Sequence, residues 1–514
     1  MSDRRIRSVT IVGGGTAGWM AAAGLAKALE AMNVRIRLIE SPDIPTIGVG
    51  EATIPPIIDF IRQLGIDEDH IVREIKATFK LGIGFRDWTA PGDFYFHPFG
   101  PSGSGMGPVS FSAYWLKAFQ EGRAARLEEY SVQAAAARDG KFMRPVHAPN
   151  TPLNKITYAL HFDASLFAQY LRRYAEARGV RRIEGTVREA MLRPEDGFIR
   201  SLALDRGETV DGDLFIDCSG FRGALIEQAL KTGFEDWSRW LPCDRALAVA
   251  SEPAQPLPSY TLATARPSGW QWRIPLQHRL GHGQVYCSGF ASEAAAHDEL
   301  MAAVGGEALG EATALRFATG RRKKAWVKNC LALGLASGFL EPLESTSIHL
   351  IQRGIAMLLK FFPNRDFEQA DIDRYNRIFE FEFGRARDFL LMHYTHTRRD
   401  GAFWEHCRSI PLTDSLKEKI ELFRSHGRIL REDTELFPIQ SWLFVMIGQG
   451  IAPRGYDPLA DGLDAEKITT HLEEMRRTVK QCAAAMPSHQ AFIERNCSAF
   501  RPPQADVRKL RLAP

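Results

Sequence analysis

The sequence has no long hydrophobic run, no paired-cysteine motif and no excess of one charge sign. No stretch reaches the ~18 unbroken apolar residues of a membrane span. The short apolar run at residues 9–12 is broken at once by glycines, so a secretory signal peptide is not predicted either. The 65 basic and 62 acidic residues are interspersed and leave a formal net charge of +3, which does not indicate nucleic-acid binding. We therefore expect a cytoplasmic protein with no nucleic-acid or membrane partner.

Cysteine is also scarce. The seven cysteines are odd in number and never spaced CxxC, so zinc and redox motifs are excluded and no metal site is predicted. We expect these cysteines to be small buried residues. With 514 residues, 45% hydrophobic and 25% charged, the composition is globular rather than disordered or fibrous. The length fits two or three domains, or one large core with elaborations.

A glycine-rich turn near the N-terminus is the first pattern that indicates a ligand. The β-branched residues 9–12 predict a strand, the small residues after Gly18 predict a helix, and residues 34–39 predict a second strand that ends at Glu40. This is the GxGxxG context of a dinucleotide-binding βαβ unit, in which the helix N-terminus receives the pyrophosphate and the acidic residue binds a ribose. The predicted contacts are Gly13, Gly15, Thr16, Ala17, Gly18 and Glu40.

Two alternatives stay open at this point. The turn could be an ordinary strand-to-helix connection, and its spacing alone does not separate NAD from FAD. A later strand and turn at residues 214–220 resembles the two-part FAD proteins, whose second strand-turn also meets the cofactor.

The rest of the chain shows loops, short strands and then helices. The loop at residues 41–56 is long and contains glycines, as functional loops often do. Residues 94–107 look irregular, residues 162–178 look helical, and strands are predicted at residues 185–187 and 214–217. Residues 270–286 predict antiparallel strands around a turn at residues 281–283. Helical patterns cover residues 350–424, with breaks, and residues 465–485.

Four motifs occur in order along the chain. They are Gly13 to Trp19, Phe79-Lys80 before Ile83-Gly84-Phe85, Trp270-Gln271-Trp272-Arg273-Ile274-Pro275, and Phe339 to Thr346. Together they resemble the flavin-dependent tryptophan halogenase family, whose WxWxIP signature is the third motif. In that family the motif is thought to fill space beside the flavin; the alternative is two aromatic residues that fill a core from one strand face.

The resemblance implies an α/β fold: a GxGxxG FAD-binding core resembling flavin monooxygenases, a mixed sheet, and a mainly helical C-terminal part that caps the substrate. It places the FAD-binding halogenase core, with an inserted substrate-side sheet, at residues 1–349. The mainly helical capping region is then residues 350–514.

Two catalytic residues follow from the same resemblance. Lys80 matches the lysine that receives or hydrogen-bonds hypohalous acid between the flavin and substrate pockets. Read alone, its mixed and helix-compatible surroundings predict a surface lysine. Glu344 matches the glutamate that faces the substrate carbon and stabilises the cationic ring or removes its proton, whereas read alone it is a helix-capping carboxylate. Glu341 is its rival.

The resemblance also extends the cofactor site and adds a halide site. Thr346 and Ser347 match the residues whose backbone amides bind the halide. The family usually has glycine where this chain has Ser347, and a positive φ there would disfavour serine. The further FAD-binding residues implied are Gly50, Glu51, Ala52, Val187, Leu335 and Ile348.

The implied reaction is FAD-dependent halogenation, with chloride or bromide, of an electron-rich aromatic compound. FAD is supplied reduced by a separate NADH-dependent flavin reductase, and a flavin hydroperoxide yields hypohalous acid that reaches Lys80. The chain has no tyrosine between Tyr394 and Tyr456, where tryptophan halogenases hold the amino acid with adjacent tyrosines. Indole or an indole derivative is therefore expected as substrate. A single-component FAD aromatic monooxygenase and a flavin-binding protein without turnover are the alternatives, and a homodimer is left open.

Overall fold

The computed structural model describes residues 4–42, 50–432 and 435–500. Its strands are β1 (Ser8–Val12), β2 (Arg35–Glu40), β3 (Gly50–Ala52), β4 (Thr78–Lys80), β5 (Gly82–Arg86), β6 (Phe94–Pro98), β7 (Ala159–Asp163), β8 (Arg181–Glu184), β9 (Val187–Leu192), β10 (Ile199–Leu204), β11 (Thr209–Asp211), β12 (Leu214–Asp217), β13 (Phe234–Asp236), β14 (Arg245–Ser251), β15 (Thr261–Arg266), β16 (Gly269–Pro275), β17 (Leu280–Tyr286), β18 (Thr313–Arg316), β19 (Gly320–Arg322), β20 (Trp326–Val327), β21 (Cys330–Ala332) and β22 (Gly338–Phe339).

The helices are α1 (Thr16–Ala28), α2 (Pro56–Gln63), α3 (Glu68–Glu74), α4 (Phe111–Gln120), α5 (Val132–Arg138), α6 (Ala164–Glu176), α7 (Glu293–Ala303), α8 (Ser347–Lys360), α9 (Gln369–Thr395), α10 (Ala402–Ser409), α11 (Asp414–His426), α12 (Ile439–Gly448), α13 (Ala465–Ala485) and α14 (His489–Asn496). Within the described ranges, no helix combines the length and the apolar character needed to cross a membrane.

A six-stranded sheet in the order β20-β21-β12-β1-β2-β8 forms the nucleotide-binding half of the core. Its strands run parallel except for β20. Every residue of β1 is buried, as expected for a β-branched strand covered on both faces. The predicted order of strand, glycine turn, helix and second strand is confirmed by β1, α1 and β2. The predicted strand at residues 185–187 is wrong for residues 185 and 186, which connect β8 to β9.

The second large sheet is mixed and has seven strands in the order β18-β14-β17-β16-β15-β5-β6. The predicted turn at residues 281–283 is wrong, because the chain reverses where the Leu276 N–H bonds the Arg279 carbonyl. Residues 281–283 lie in β17, where Gly283 faces Trp272 across the hairpin. A Cβ at Gly283 would lie 1.9 Å from the Trp272 ring. Gly283 therefore leaves room for the Trp272 side chain on the sheet and does not mark a turn.

A three-stranded sheet, β3-β7-β4, joins the two larger ones. Here Lys80 is the last residue of β4 and pairs with Ala159 of β7. The helix-compatible reading of this segment is wrong, because the pairing with β7 makes it a buried strand. Residues 94–98 also form a strand, β6, so only the remainder of the predicted irregular segment at residues 94–107 is free of strand. The loop predicted at residues 41–56 lies partly outside the described residues, and its residues 50–52 form β3.

The last third of the chain is mainly helical, as predicted. α8 packs across α1, with Gly24 close enough to Ile355 that an added Cβ would lie 3.1 Å from it. α9 and α12 cover the seven-stranded sheet next to β6. The division at residue 349 stays a prediction. All seven cysteines are buried and free, which confirms that expectation.

Candidate active site

A cavity of about 710 Å³ lies where β1 ends, and we call it the β1 cavity. The three motif glycines shape it in different ways. Gly13 has φ +117°, and a Cβ there would lie 2.2 Å from the Cys218 carbonyl oxygen. A Cβ at Gly18 would lie 1.8 Å from the Gly13 carbonyl oxygen, so this glycine permits close packing of α1. A Cβ at Gly15 would meet no atom within 4 Å, which leaves open space before the N-terminus of α1. A phosphate fits such a cradle.

Most of the predicted cofactor residues meet at this cavity. Gly18 does not line it and faces the backbone of Gly13 instead. Glu40 accepts hydrogen bonds from Trp19 and Arg182, so its carboxylate is fixed at the cavity wall. The predicted residues that line the cavity are Gly13, Gly15, Thr16, Ala17, Glu40, Gly50, Glu51, Ala52, Val187, Leu335, Ser347 and Ile348.

Lys80 is fully buried behind one wall of the β1 cavity. Its Nζ donates to the Thr53 carbonyl oxygen at 3.0 Å and to the Ser345 Oγ at 2.8 Å. Ser345 itself lines the cavity. Burial lowers the pKa of Lys80 to about 7, against the opposing effect of the Glu344 and Glu51 charges. At neutral pH the side chain is thus divided between ammonium and amine.

Glu344 precedes Ser345 in the chain, does not line the β1 cavity and is also fully buried. It ends the short 3-10 turn Pro342–Glu344, and Ser345 follows with φ +58°. Its carboxylate accepts from His97 Nδ1 at 2.9 Å and from His393 Nε2 at 2.9 Å. Burial alone would raise the pKa of Glu344, but the two imidazoles outweigh it and lower the pKa to about 2. Because residues 344 and 345 are adjacent, one turn supplies both this carboxylate and the hydroxyl that holds Lys80.

Glu341, the rival carboxylate, has a different environment. One of its oxygens, Oε2, accepts from Trp270 Nε1 at 3.0 Å and from the Tyr394 hydroxyl at 2.7 Å. Burial raises the pKa of Glu341 to about 7. Glu341 is absent from the residues that line the β1 cavity, whereas Trp270 and Trp272 do line it. Both tryptophans are buried from solvent and also line the β1 cavity. Packing in the core and filling of space beside a cofactor are therefore compatible interpretations of the WxWxIP motif.

Thr346 and Ser347 lie at the N-terminus of α8. Among the described residues, the buried Thr346 Oγ1 has no hydrogen-bond partner. Ser347 is the first residue of the helix, and the left-handed residue of this turn is Ser345. The expectation that serine at position 347 strains the backbone is therefore wrong. The free amides of a helix N-terminus and an unpaired hydroxyl suit an anion.

The two histidines that contact Glu344 were not predicted from the sequence. His97 lies on β6, a strand that the sequence pattern did not predict. His393 lies in the long helix α9, where no motif marks it. The ring neighbours of His97 are Phe99, Phe389 and Phe437. These rings lie beside His97 on the Glu344 side of the site, and Trp442 contacts one of them, Phe389, at 4.8 Å between ring centroids.

Comparison with known proteins gives a consistent result. The model of the family described as "Tryptophan halogenase" matches residues 8–465. The tryptophan 6-halogenase ThaL of Streptomyces albogriseolus is 37% identical over 88% of this chain and 91% of its own. The solved structure of Xcc4156, a flavin-dependent halogenase from Xanthomonas campestris, has a TM-score of 0.93 at 46% identity and covers 97% of this chain and 100% of its own. The tryptophan 6-halogenase SttH of Streptomyces toxytricini has a TM-score of 0.88 at 33% identity, over 96% and 100%.

Proposed function

The chain belongs to the tryptophan halogenase family and is an FAD-dependent halogenase, and we propose that it halogenates a free indole ring through Lys80. The observation that carries the proposal is the position of Lys80. Its buried amine donates to Ser345, which lines the β1 cavity, and the neighbouring Glu344 is buried and does not line that cavity. A lysine in this place can take a halogen from the cofactor side and deliver it to the substrate side.

The β1 cavity suits FAD. The open space at Gly15 and the N-terminus of α1 would hold the pyrophosphate, and Glu40 would bind the adenosine ribose. When bound in its reduced form, FAD activates O₂ and, with halide, supplies hypohalous acid. Trp270 and Trp272 would fill the space beside the ring system and keep the arene away from it.

Lys80 acts as the neutral amine. A primary amine has two N–H donors and one lone pair, and the two acceptors Thr53 and Ser345 use both donors. The lone pair therefore stays free to attack hypohalous acid, which forms an N–halogen bond and releases water. The ring carbon then takes the halogen from nitrogen, and the proton that leaves this carbon ends on the nitrogen.

Glu344 stabilises the cationic ring instead of removing its proton. With its pKa near 2 and two imidazole donors on its oxygens, it is a weak base and a persistent anion. A fixed buried anion lowers the energy of a developing cation most effectively where water is excluded. On the cofactor side, the amides at the start of α8 and the Thr346 hydroxyl would hold the halide.

Free indole is the proposed substrate class. Burial of an amino acid's ammonium and carboxylate requires polar partners. In the segment without tyrosine, Lys419 pairs with Glu435 at 3.2 Å, and Glu432 pairs with Arg385 of α9 at 2.8 Å. An uncharged indole needs only aromatic surfaces such as Phe99 and Phe437.

The experiment is reconstitution with FAD, an NADH-dependent flavin reductase, bromide or chloride, and equal amounts of indole and tryptophan. Predominant haloindole supports the proposal, and predominant halotryptophan contradicts the substrate class. Addition of NADPH without the reductase tests the monooxygenase alternative, because such an enzyme would reduce its own FAD. Reduced-flavin oxidation without any halogenated arene would favour a flavin-binding protein.

A further inference from the structure

A buried chain of hydrogen bonds connects Glu344 to the end of α12. Gln449, which follows α12 directly, donates from Nε2 to the Tyr95 hydroxyl at 2.9 Å. The hydroxyl lies 2.8 Å from His393 Nδ1, and His393 Nε2 lies 2.9 Å from Glu344 Oε1. All four side chains are buried, with residue exposures of 3% or less.

The direction of each hydrogen bond follows from the two ends. An ionised carboxylate can only accept, so His393 carries a hydrogen on Nε2, and because burial lowers the pKa of His393 and favours the neutral ring, Nδ1 offers a lone pair. The Tyr95 O–H donates to that lone pair, and the Tyr95 oxygen accepts a hydrogen bond from the Gln449 amide. Each hydrogen bond of the chain then donates toward Glu344.

The same chain anchors α12. A Cβ at Gly448 would lie 2.4 Å from the Tyr95 ring, so the end of the helix rests directly on this tyrosine. Further back in α12, Trp442 contacts Phe389 edge-on at 4.8 Å between ring centroids. Phe389 also faces His97, the second donor to Glu344. The helix that closes the aromatic side of the site is thus joined to the carboxylate by side chains.

We propose that Tyr95 and Gln449 are positioning residues for the halogenation reaction, which hold His393 in the tautomer that donates to Glu344. The inference rests on the proposed function, in which Glu344 acts as an anion. Two other charged or titratable groups act on Glu344: His97 on β6, which donates to it, and Lys80 on β4, whose charge it senses. Neither contacts the Tyr95 hydroxyl, so both remain in place when that hydroxyl is removed.

The test compares Tyr95→Phe with Tyr114→Phe as a matched control. Tyr114 lies on α4, and its hydroxyl donates to the Ser104 carbonyl, outside the chain of hydrogen bonds to Glu344. For Tyr95→Phe we expect kcat for indole bromination to fall about tenfold with KM and reduced-flavin oxidation unchanged. Below the acid limb that Lys80 sets near pH 7, kcat should fall more steeply with decreasing pH than in the wild-type protein, because a less firmly held imidazole lets Glu344 take up a proton at a higher pH. Tyr114→Phe should keep the wild-type profile.

Two variants of His393 provide rescue. His393→Gln presents an oxygen and an NH₂ in place of Nδ1 and Nε2–H, so it should retain most of the activity, whereas His393→Leu should lose at least as much as Tyr95→Phe. Equal activity of the Gln and Leu variants, or an unchanged kcat and pH profile in Tyr95→Phe, would overturn the proposal.

A spectroscopic readout keeps this inference separate from the proposed function. In ¹⁵N-histidine NMR spectra, the signals that vanish in His393→Gln identify His393 without any turnover. We expect a lone-pair nitrogen at Nδ1 whose shift moves in Tyr95→Phe and in Gln449→Leu. Hydrogen on Nδ1 in the wild-type protein would refute the inference even if indole is halogenated. Failure of the wild-type protein to halogenate any arene, with the expected tautomer present, would refute only the proposed function.

Discussion

Substitution of Glu344 by glutamine should reduce halogenation severely without affecting the flavin reaction. The carboxylate is fully buried between His97 and His393, so its charge is poorly screened and acts strongly on a cationic ring. Removal of such a stabilising charge typically costs a few kcal/mol, or ~10²–10³ in kcat. Glutamine adds a second fault, because its NH₂ would face one of the two imidazole N–H donors. We therefore expect a loss at the upper end of that range.

Glu341→Gln is the matched control. The pKa of Glu341 is raised by burial to about 7, so its carboxyl is already partly protonated at neutral pH, and a single oxygen accepts from Trp270 and Tyr394. The amide oxygen of glutamine can keep both bonds, and we expect kcat to change less than about threefold. The assay follows bromoindole and reduced-flavin oxidation together, with thermal melting to confirm folding. A loss below about threefold in Glu344→Gln, with Glu341→Gln far worse, would show that the wrong carboxylate was assigned.

Three further predictions follow from the cavity, Lys80 and the tryptophan motif. Gly15→Val should fold, because Gly15 has φ −76° and there is open space where its Cβ would lie. It should bind FAD about a hundredfold more weakly in a fluorescence titration, since the valine methyl groups occupy the space for the pyrophosphate. An unchanged affinity for FAD would refute the assignment of the pyrophosphate site to Gly15. Burial lowers the pKa of Lys80 to about 7, and the amine is the reactive form. The rate of bromination should therefore rise with pH through about 7, while the rate of reduced-flavin oxidation should not. A fall in the bromination rate over this range would indicate that the ammonium form is reactive. Gly283→Ala should lower stability by about 1–3 kcal/mol, because the Cβ would lie 1.9 Å from the Trp272 ring; an unchanged melting temperature would contradict this.

The cofactor half of the site could be predicted because its signals are local. The β-branched strand, the glycine spacing and the distance to Glu40 all lie within one βαβ unit, and each glycine meets the constraint that its position predicts. The halide-binding role of Thr346 and Ser347 stays a prediction, and the left-handed residue of that turn is Ser345 and not Ser347.

The catalytic half could not be derived from local pattern because distant pairings determine it. Lys80 is buried through the pairing of β4 with β7, which lies some 80 residues later in the chain. His97 and His393 meet Glu344 from a strand and a helix that no motif marks. Gly283 looked like a turn residue because the side chain that needs it, Trp272, lies on the opposite strand.

The most direct measurement compares wild-type protein with Lys80→Met, in which an unbranched apolar side chain replaces the buried amine. Both are supplied with reduced FAD, O₂, bromide and indole, together with excess free methionine to scavenge hypobromous acid that escapes. We predict reduced-flavin oxidation at the wild-type rate in the variant and no bromoindole, because the halogen is formed but not carried to the ring. Bromoindole formation at the wild-type rate, with the scavenger present, would contradict the role of Lys80 and with it the proposed route of the halogen.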